Sequence, residues 1–294
     1  MHGQFLYAMN NRKILQGLVF FFTGFLGFLF LFHLLIPAAP SLLTNKDYQK
    51  TQATPLHYVA LGDSLTQGVG DSTNQGGFVP LLSQSLINEY GYAVEAENYG
   101  ISGNTSKQIL ARMQENSELV ASLKKADLLT LTVGGNDLRQ VILDNLQNLT
   151  VSTFKKPARM YSKRLENIIE TARKQNPDLP IYVLGIYNPY YLNFPGMTEM
   201  QTVVDNWNTT TEETVKAYEN VYFIPINNLL YQGLNGQSSF ANDDQTTSAG
   251  STSSTKTNNL LYEGDHFHPN NTGYEIMKEA VMEKIRETKD KWKH

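Results

Sequence analysis

A chain of 294 residues with 41% hydrophobic side chains has the length and apolar content for one large domain or two small ones. Its formal charge of −4 supplies no basic face for nucleic acid. Having no cysteine, it excludes disulfides, thiolate nucleophiles, cysteine-ligated zinc and a lipid-modified cysteine anchor.

The N-terminus speaks to the compartment. Arg12-Lys13 precedes an apolar run, Ile14 through Ile36, broken only by Gln16, His33 and small residues. About 20 such residues span a bilayer as a helix. The positive pair before the run predicts a cytoplasmic N-terminus over 1–13, a transmembrane signal anchor over 14–36 and an extracellular remainder. A cleaved signal peptide is the rival, which would make the protein secreted. Its apolar core ordinarily runs to about 7–15 residues, shorter than this one, yet Ile36-Pro37-Ala38-Ala39-Pro40 offers small residues to a peptidase. A buried soluble helix fits less well, because Leu18–Phe32 is apolar all round apart from Thr23. The polar stretch up to Pro55 reads as a linker over 37–55.

From residue 56 to 294 apolar runs alternate with segments of helical spacing. Strands are predicted over Tyr58–Leu61, Ala93–Asn98, Leu128–Val133, Ile181–Ile186 and Val221–Ile226. Helices are predicted over Phe78–Tyr90, Ser106–Met113, Arg159–Gln175, Glu199–Glu219 and Thr272–Lys291. Leu128–Val133 is the clearest strand, its only polar side-chain atoms being two threonine hydroxyls. Short, largely apolar strands with helices between them predict an α/β fold, a five-stranded parallel sheet covered on both faces. Gly233–Asn259 breaks the pattern. Rich in Ser, Thr, Asn, Gln and Gly, it reads as a polar flexible insertion, either a plain surface loop or a lid over the site that follows.

Four segments carry chemistry. Gly62-Asp63-Ser64-Leu65 follows the first strand, where ligands of an open parallel sheet gather. Ser64 there is either a nucleophile or the cap of a following helix. It is not the nucleophile elbow of α/β-hydrolases, since Thr66 stands where that pattern needs glycine. Ile101-Ser102-Gly103-Asn104 follows the second strand, where a glycine N–H can face a developing oxyanion, or simply turn the chain. Gly134-Gly135-Asn136-Asp137 follows the third. Asn136 can donate its amide to the same oxygen while Asp137 caps the next helix. Asp265-His266-Phe267-His268 lies before the last helix. Asp265 can accept from one ring nitrogen of His268 and leave the other for Ser64, with His266 pointing elsewhere. A metal site of Asp265, His266 and His268 is the competing use of these side chains. No further histidine-rich segment completes it, so no metal or other cofactor is expected.

These four segments, in this order and spacing, resemble the blocks of the SGNH hydrolases, also called the GDSL lipase/esterase family. The likeness runs from about Tyr58 to the C-terminal helix, and within the family is greatest to membrane-anchored or secreted members of Gram-positive bacteria. It implies a flavodoxin-like three-layer α/β/α fold. It also implies Ser64 as nucleophile, His268 as base and Asp265 as its partner, with an oxyanion hole from the N–H groups of Ser64 and Gly103 and the amide of Asn136. The expected activity is hydrolysis of carboxylic esters, lipid acyl esters or O-acetyl groups on glycans, through an acyl-Ser64 intermediate. Tyr187-Asn188-Pro189-Tyr190-Tyr191-Leu192-Asn193-Phe194 offers an apolar or sugar-stacking wall, or ordinary packing at a strand end. The expected partners are the ester substrate and, through residues 14–36, the cytoplasmic membrane. Two other functions fit part of the pattern: an idle binder of lipid or glycan esters, which would resist a fluorophosphonate probe, and a metal-dependent phosphoesterase, which would fail with chelator and survive Ser64→Ala.

Overall fold

The computed structural model of the chain describes residues 11–35, 53–147, 149–191, 198–234 and 258–292. The chain divides into two units, Met1–Gln52 and Ala53–His294. The first contains helix α1, Asn11–Leu35. Its side chains are described over 15–31 and all are exposed. Among the described residues no helix is long and apolar enough to cross a membrane. The expected span, 14–36, extends past those side chains at both ends. The expected peptidase site and most of the expected linker lie outside the described residues.

The second unit is built on five parallel strands: β1 Pro55–Gly62, β2 Ala93–Gly100, β3 Leu128–Thr132, β4 Ile181–Leu184 and β5 Val221–Ile224. Their order is β2-β1-β3-β4-β5. The chain therefore steps outward from β1 to β2, crosses back to lay β3 on the other side of β1, and continues to β5. β1 pairs with β2 from Pro55↔Ala93 to Gly62↔Gly100 and with β3 from Tyr58↔Leu128 to Leu61↔Leu131. The reversal places the carboxyl ends of β1 and β3 side by side, the crevice in which such sheets bind ligands.

Helices cover both faces: α2 Ser64–Gln67, α3 Phe78–Tyr90, α4 Ser106–Glu115, α5 Ser117–Lys125, α6 Gly135–Asp144, α7 Lys155–Arg173, α8 Thr198–Lys216, α9 Asn227–Leu230 and α10 Asn271–Thr288. Side chains alternate across a strand. Val59, Leu61, Leu129, Leu131 and Val183 accordingly enter one core with Ile109, Leu119, Ile168 and Trp207. Tyr58, Ala60, Leu128, Tyr182 and Leu184 enter the other with Phe78, Leu82, Met277 and Ile285. A fully buried leucine such as Leu131 contributes about 1.5–3 kcal/mol. Both threonines of β3 find partners: Thr130 pairs with the Tyr58 hydroxyl at 2.7 Å and Thr132 donates to Asp63 at 2.8 Å.

Some details depart from the sequence reading. β2 is an edge strand and largely exposed, because Glu95 and Glu97 occupy positions that a doubly covered strand would fill with apolar groups. The helix expected to end at Met113 reaches Glu115 and is followed at once by a second, α5. Asn116 makes the break, its side chain accepting from Glu118 N and Leu119 N to cap α5. The polar insertion is described only at its ends, where Leu234 N donates to Asn259 Oδ1 at 2.9 Å.

Candidate active site

The turn that carries Ser64 is fixed from below. A Cβ on Gly62 would lie 2.2 Å from Thr132 Oγ1, so no side chain fits there. Asp63, not Ser64, caps α2, accepting from Leu65 N at 3.0 Å. Asp63 also accepts from Thr132 Oγ1, and its own N–H donates to that hydroxyl at 3.2 Å. Burial pushes the Asp63 carboxyl up, opposed by the hydrogen bonds from Thr132 and Leu65 and by the charge of nearby His268. Ser64 becomes the first residue of α2 and is 6% exposed. Its main-chain N–H has no acceptor within the helix, as at any helix start.

The second block is tied to the first by main-chain atoms. Gly62 O accepts from Ile101 N at 3.1 Å and from Arg112 Nη2 at 2.9 Å. Arg112 Nη1 also reaches Tyr99 O at 3.0 Å, so one guanidinium holds the ends of β1 and β2 together. Gly103 has φ 80, a left-handed conformation that favours glycine. Asn136 donates one amide hydrogen to Asn104 O at 3.0 Å. That bond brings it beside Gly103 and leaves its second hydrogen for another acceptor.

Asp137 differs from expectation. Its own helix is capped by Gly134 at φ 108. The carboxylate instead accepts from Ser106 N at 2.7 Å and Ser106 Oγ at 2.6 Å, at the start of α4. Arg164 Nη2 donates to it at 3.0 Å. Asp137 thus ties the turn after β3 to the start of α4 and to α7.

In the last block Asp265 Oδ1 accepts from Phe267 N at 2.9 Å and His268 N at 3.0 Å. Oδ2 meets His268 Nδ1 at 2.6 Å. Burial pushes the Asp265 carboxyl up, but the His268 ring and the two main-chain N–H groups outweigh it, and its pKa falls below the usual value. An ionised carboxylate only accepts, so Nδ1 is the donor in this bond. His266 is exposed in a left-handed turn at φ 51. Among the described residues no three His, Asp or Glu side chains are grouped where they could hold a metal ion.

Ser64 and Asn136 line one cleft with Leu65, Val133, Tyr187 and Phe267. The structure therefore gathers the first, third and fourth blocks at the carboxyl ends of β1 and β3, and Asn104 links the second to them. Tyr187 was read only as part of an aromatic wall, yet its hydroxyl donates to Phe267 O at 2.5 Å and holds the residue before His268. Tyr190 lies 6.0 Å from Phe267, ring to ring; Leu192 to Phe194 are outside the described residues. The roles of Thr132 and Arg112 were not foreseen, since their partners lie on distant segments.

A serine turn, an amide at the neighbouring strand end and a carboxylate-held imidazole beside one cleft fit a hydrolase that acts on ester bonds. Residues 60–276 match the model of the GDSL-like lipase/acylhydrolase family, and the chain belongs to that family, within the SGNH hydrolases. It is 29% identical over 259 residues to the uncharacterized protein YpmR of Bacillus subtilis, across 86% of this chain and 92% of that protein. It is 31% identical over 139 residues to the spore germination lipase LipC of Bacillus licheniformis, across 46% of this chain and 65% of LipC. Among solved structures, the lipase Lip_vut3 from a goat rumen metagenome superposes with TM-score 0.62 at 23% identity, covering 78% of this chain and 96% of that one. A catalytic mutant of Axe2, an acetylxylan esterase from Geobacillus stearothermophilus, gives 0.53 at 18%, covering 79% and 95%. At these identities the two structural likenesses show the fold alone.

Proposed function

We propose that the protein is a serine esterase that cleaves carboxylic esters through an acyl-Ser64 intermediate. His268 Nε2 takes the proton from Ser64 Oγ as that oxygen attacks the ester carbonyl. Asp265 holds the ring and offsets its positive charge. The oxyanion accepts from the N–H groups of Ser64 and Gly103 and from the free amide hydrogen of Asn136. His268 returns its proton to the departing alcohol. Water, deprotonated by the same ring, then releases the acid and restores Ser64.

The 2.6 Å bond between Asp265 and His268, beside the cleft that Ser64 and Asn136 line, carries this reading. The cleft wall of Leu65, Val133, Ile186, Tyr187, Pro189 and Phe267 suits an apolar acyl group. The names of LipC and Axe2 point to lipid acyl esters and glycan O-acetyl groups as the two substrate classes to compare. Turnover of short- and long-chain nitrophenyl esters and acetylated xylan, with fluorophosphonate labelling, tests the proposal. Wild type should label and turn over, whereas Ser64→Ala should do neither; equal turnover by the two proteins rejects it.

We further propose that residues 14–36 anchor the enzyme with its catalytic unit outside the cell. The support is the sequence alone, the apolar run behind Arg12-Lys13. Full-length protein should sediment with membranes and a chain starting at Ser41 should not; a soluble full-length protein rejects the anchor.

A further inference from the structure

The two halves of the site come from opposite ends of the chain, so something must set their distance. The loop after α2 does not hang free. Asp71 is buried and its carboxylate collects six hydrogen bonds. Thr73 N and Oγ1 donate to Oδ1 at 2.8 and 2.6 Å, and Gln75, Gly76 and Gly77 N donate to Oδ2, each at 3.1 Å. The sixth comes from Asn271 Nδ2 at 2.8 Å, 200 residues away. Asn271 in turn accepts at Oδ1 from Ser72 N at 3.1 Å and Ser72 Oγ at 2.7 Å.

Asn271 is the first residue of α10 and stands three places after His268. Two more contacts close the same seam. The Tyr274 hydroxyl donates to Val69 O at 2.6 Å. A Cβ on Gly70, at φ 94, would lie 2.4 Å from Pro269 O and 3.3 Å from His268 Cβ, so only glycine lets the loop come this close. Gly68, which ends α2, connects this seam directly to Ser64.

We propose that Asp71 and Asn271 form a strut that sets the position of His268 relative to Ser64, making both positioning residues for acyl transfer. The strut rests on the mechanism proposed above, since it acts through His268. A carboxylate saturated by main-chain donors is a rigid post, and one amide reaching it in two directions transmits that rigidity to the histidine turn. Loss of the amide lets the turn drift, and a displacement of about 1 Å can cost on the order of 10²-fold in rate.

The test uses Asn271→Ala in the full chain, assayed on p-nitrophenyl acetate alongside Ser64→Ala and His268→Ala. For Asn271→Ala kcat should fall at least tenfold with KM within twofold. Fluorophosphonate labelling should slow by the same factor, and circular dichroism should show a folded protein at the assay temperature. Asn271→Asp, which faces one carboxylate with another, should be equally impaired. A folded Asn271→Ala with wild-type kcat overturns the strut. If Asn271→Ala does not fold, a wild-type kcat in Asn271→Asp overturns it. Activity surviving in Ser64→Ala or His268→Ala would instead reject the mechanism, and so separates the two failures.

Discussion

The serine turn and the histidine turn are held in opposite ways. Asp63, Ser64 and Thr66 are buried, and the hydrogen bonds of Asp63 and Thr66 run into the strand end beneath them through Thr132. The histidine turn stands at the surface: the His268 side chain is 15% exposed and that of Asp265 35%. It keeps its shape through three bonds to one carboxylate and is tethered through Tyr187, Asn271 and the close approach at Gly70. A sheet end supplies a fixed hydroxyl at no local cost. An imidazole on a short turn must be fastened by named side chains, and these are where the catalytic geometry can be broken separately from the fold.

The sharpest way to break this contrast is Asp265→Asn. An amide cannot both accept from Nδ1–H and keep the carboxylate's charge, so kcat should fall about 10⁴-fold. Because Asp265 lies in the surface turn, the melting temperature should move by only a few degrees. A loss below tenfold would show that the turn does not depend on its carboxylate. Asn136→Ala probes the strand-end side, where removing one oxyanion donor should lower kcat by about 10²–10³ with the chain still folded. An unchanged kcat would remove Asn136 from the mechanism.

The third prediction concerns stability and pH. Burial raises the Asp71 carboxyl, but the Thr73 hydroxyl and the N–H groups of Gly77, Thr73 and Gln75 outweigh it and hold the pKa at about 2, from an ordinary 3.8. A carboxyl depressed on folding stabilises the native state above its unfolded pKa, and the contribution is lost as pH falls through the folded value. Between pH 4 and about 2, wild type should lose about 2 kcal/mol more than Asp71→Asn in urea titrations. Parallel pH profiles for the two proteins would show that the post carries no such energy.

Much of this was legible in the chain because its signals were local. Leu128–Val133 reads as a buried strand from its own six residues, and the first three family blocks each sit where a strand ends. What escaped reading depends on partners far away in sequence. Asp137 is a sound N-cap residue by composition, but the carboxylate crosses to Ser106 instead. Asp71 sits in a polar run that looks like any turn; its meaning lies in Asn271. Asn116 marked a helix break only through the two N–H groups its side chain takes. β2 is expected to be covered like the other strands, whereas at the sheet edge it is largely exposed, Glu95 and Glu97 included.

That edge has a consequence for the molecule in bulk. An unpaired strand is a template on which a second copy could extend the sheet. Glu95 and Glu97 make such addition bring carboxylates against carboxylates, a repulsion that neutralising them would lift. Glu95→Gln with Glu97→Gln should therefore raise self-association at high concentration, a change made at two residues outside the proposed ester cleavage.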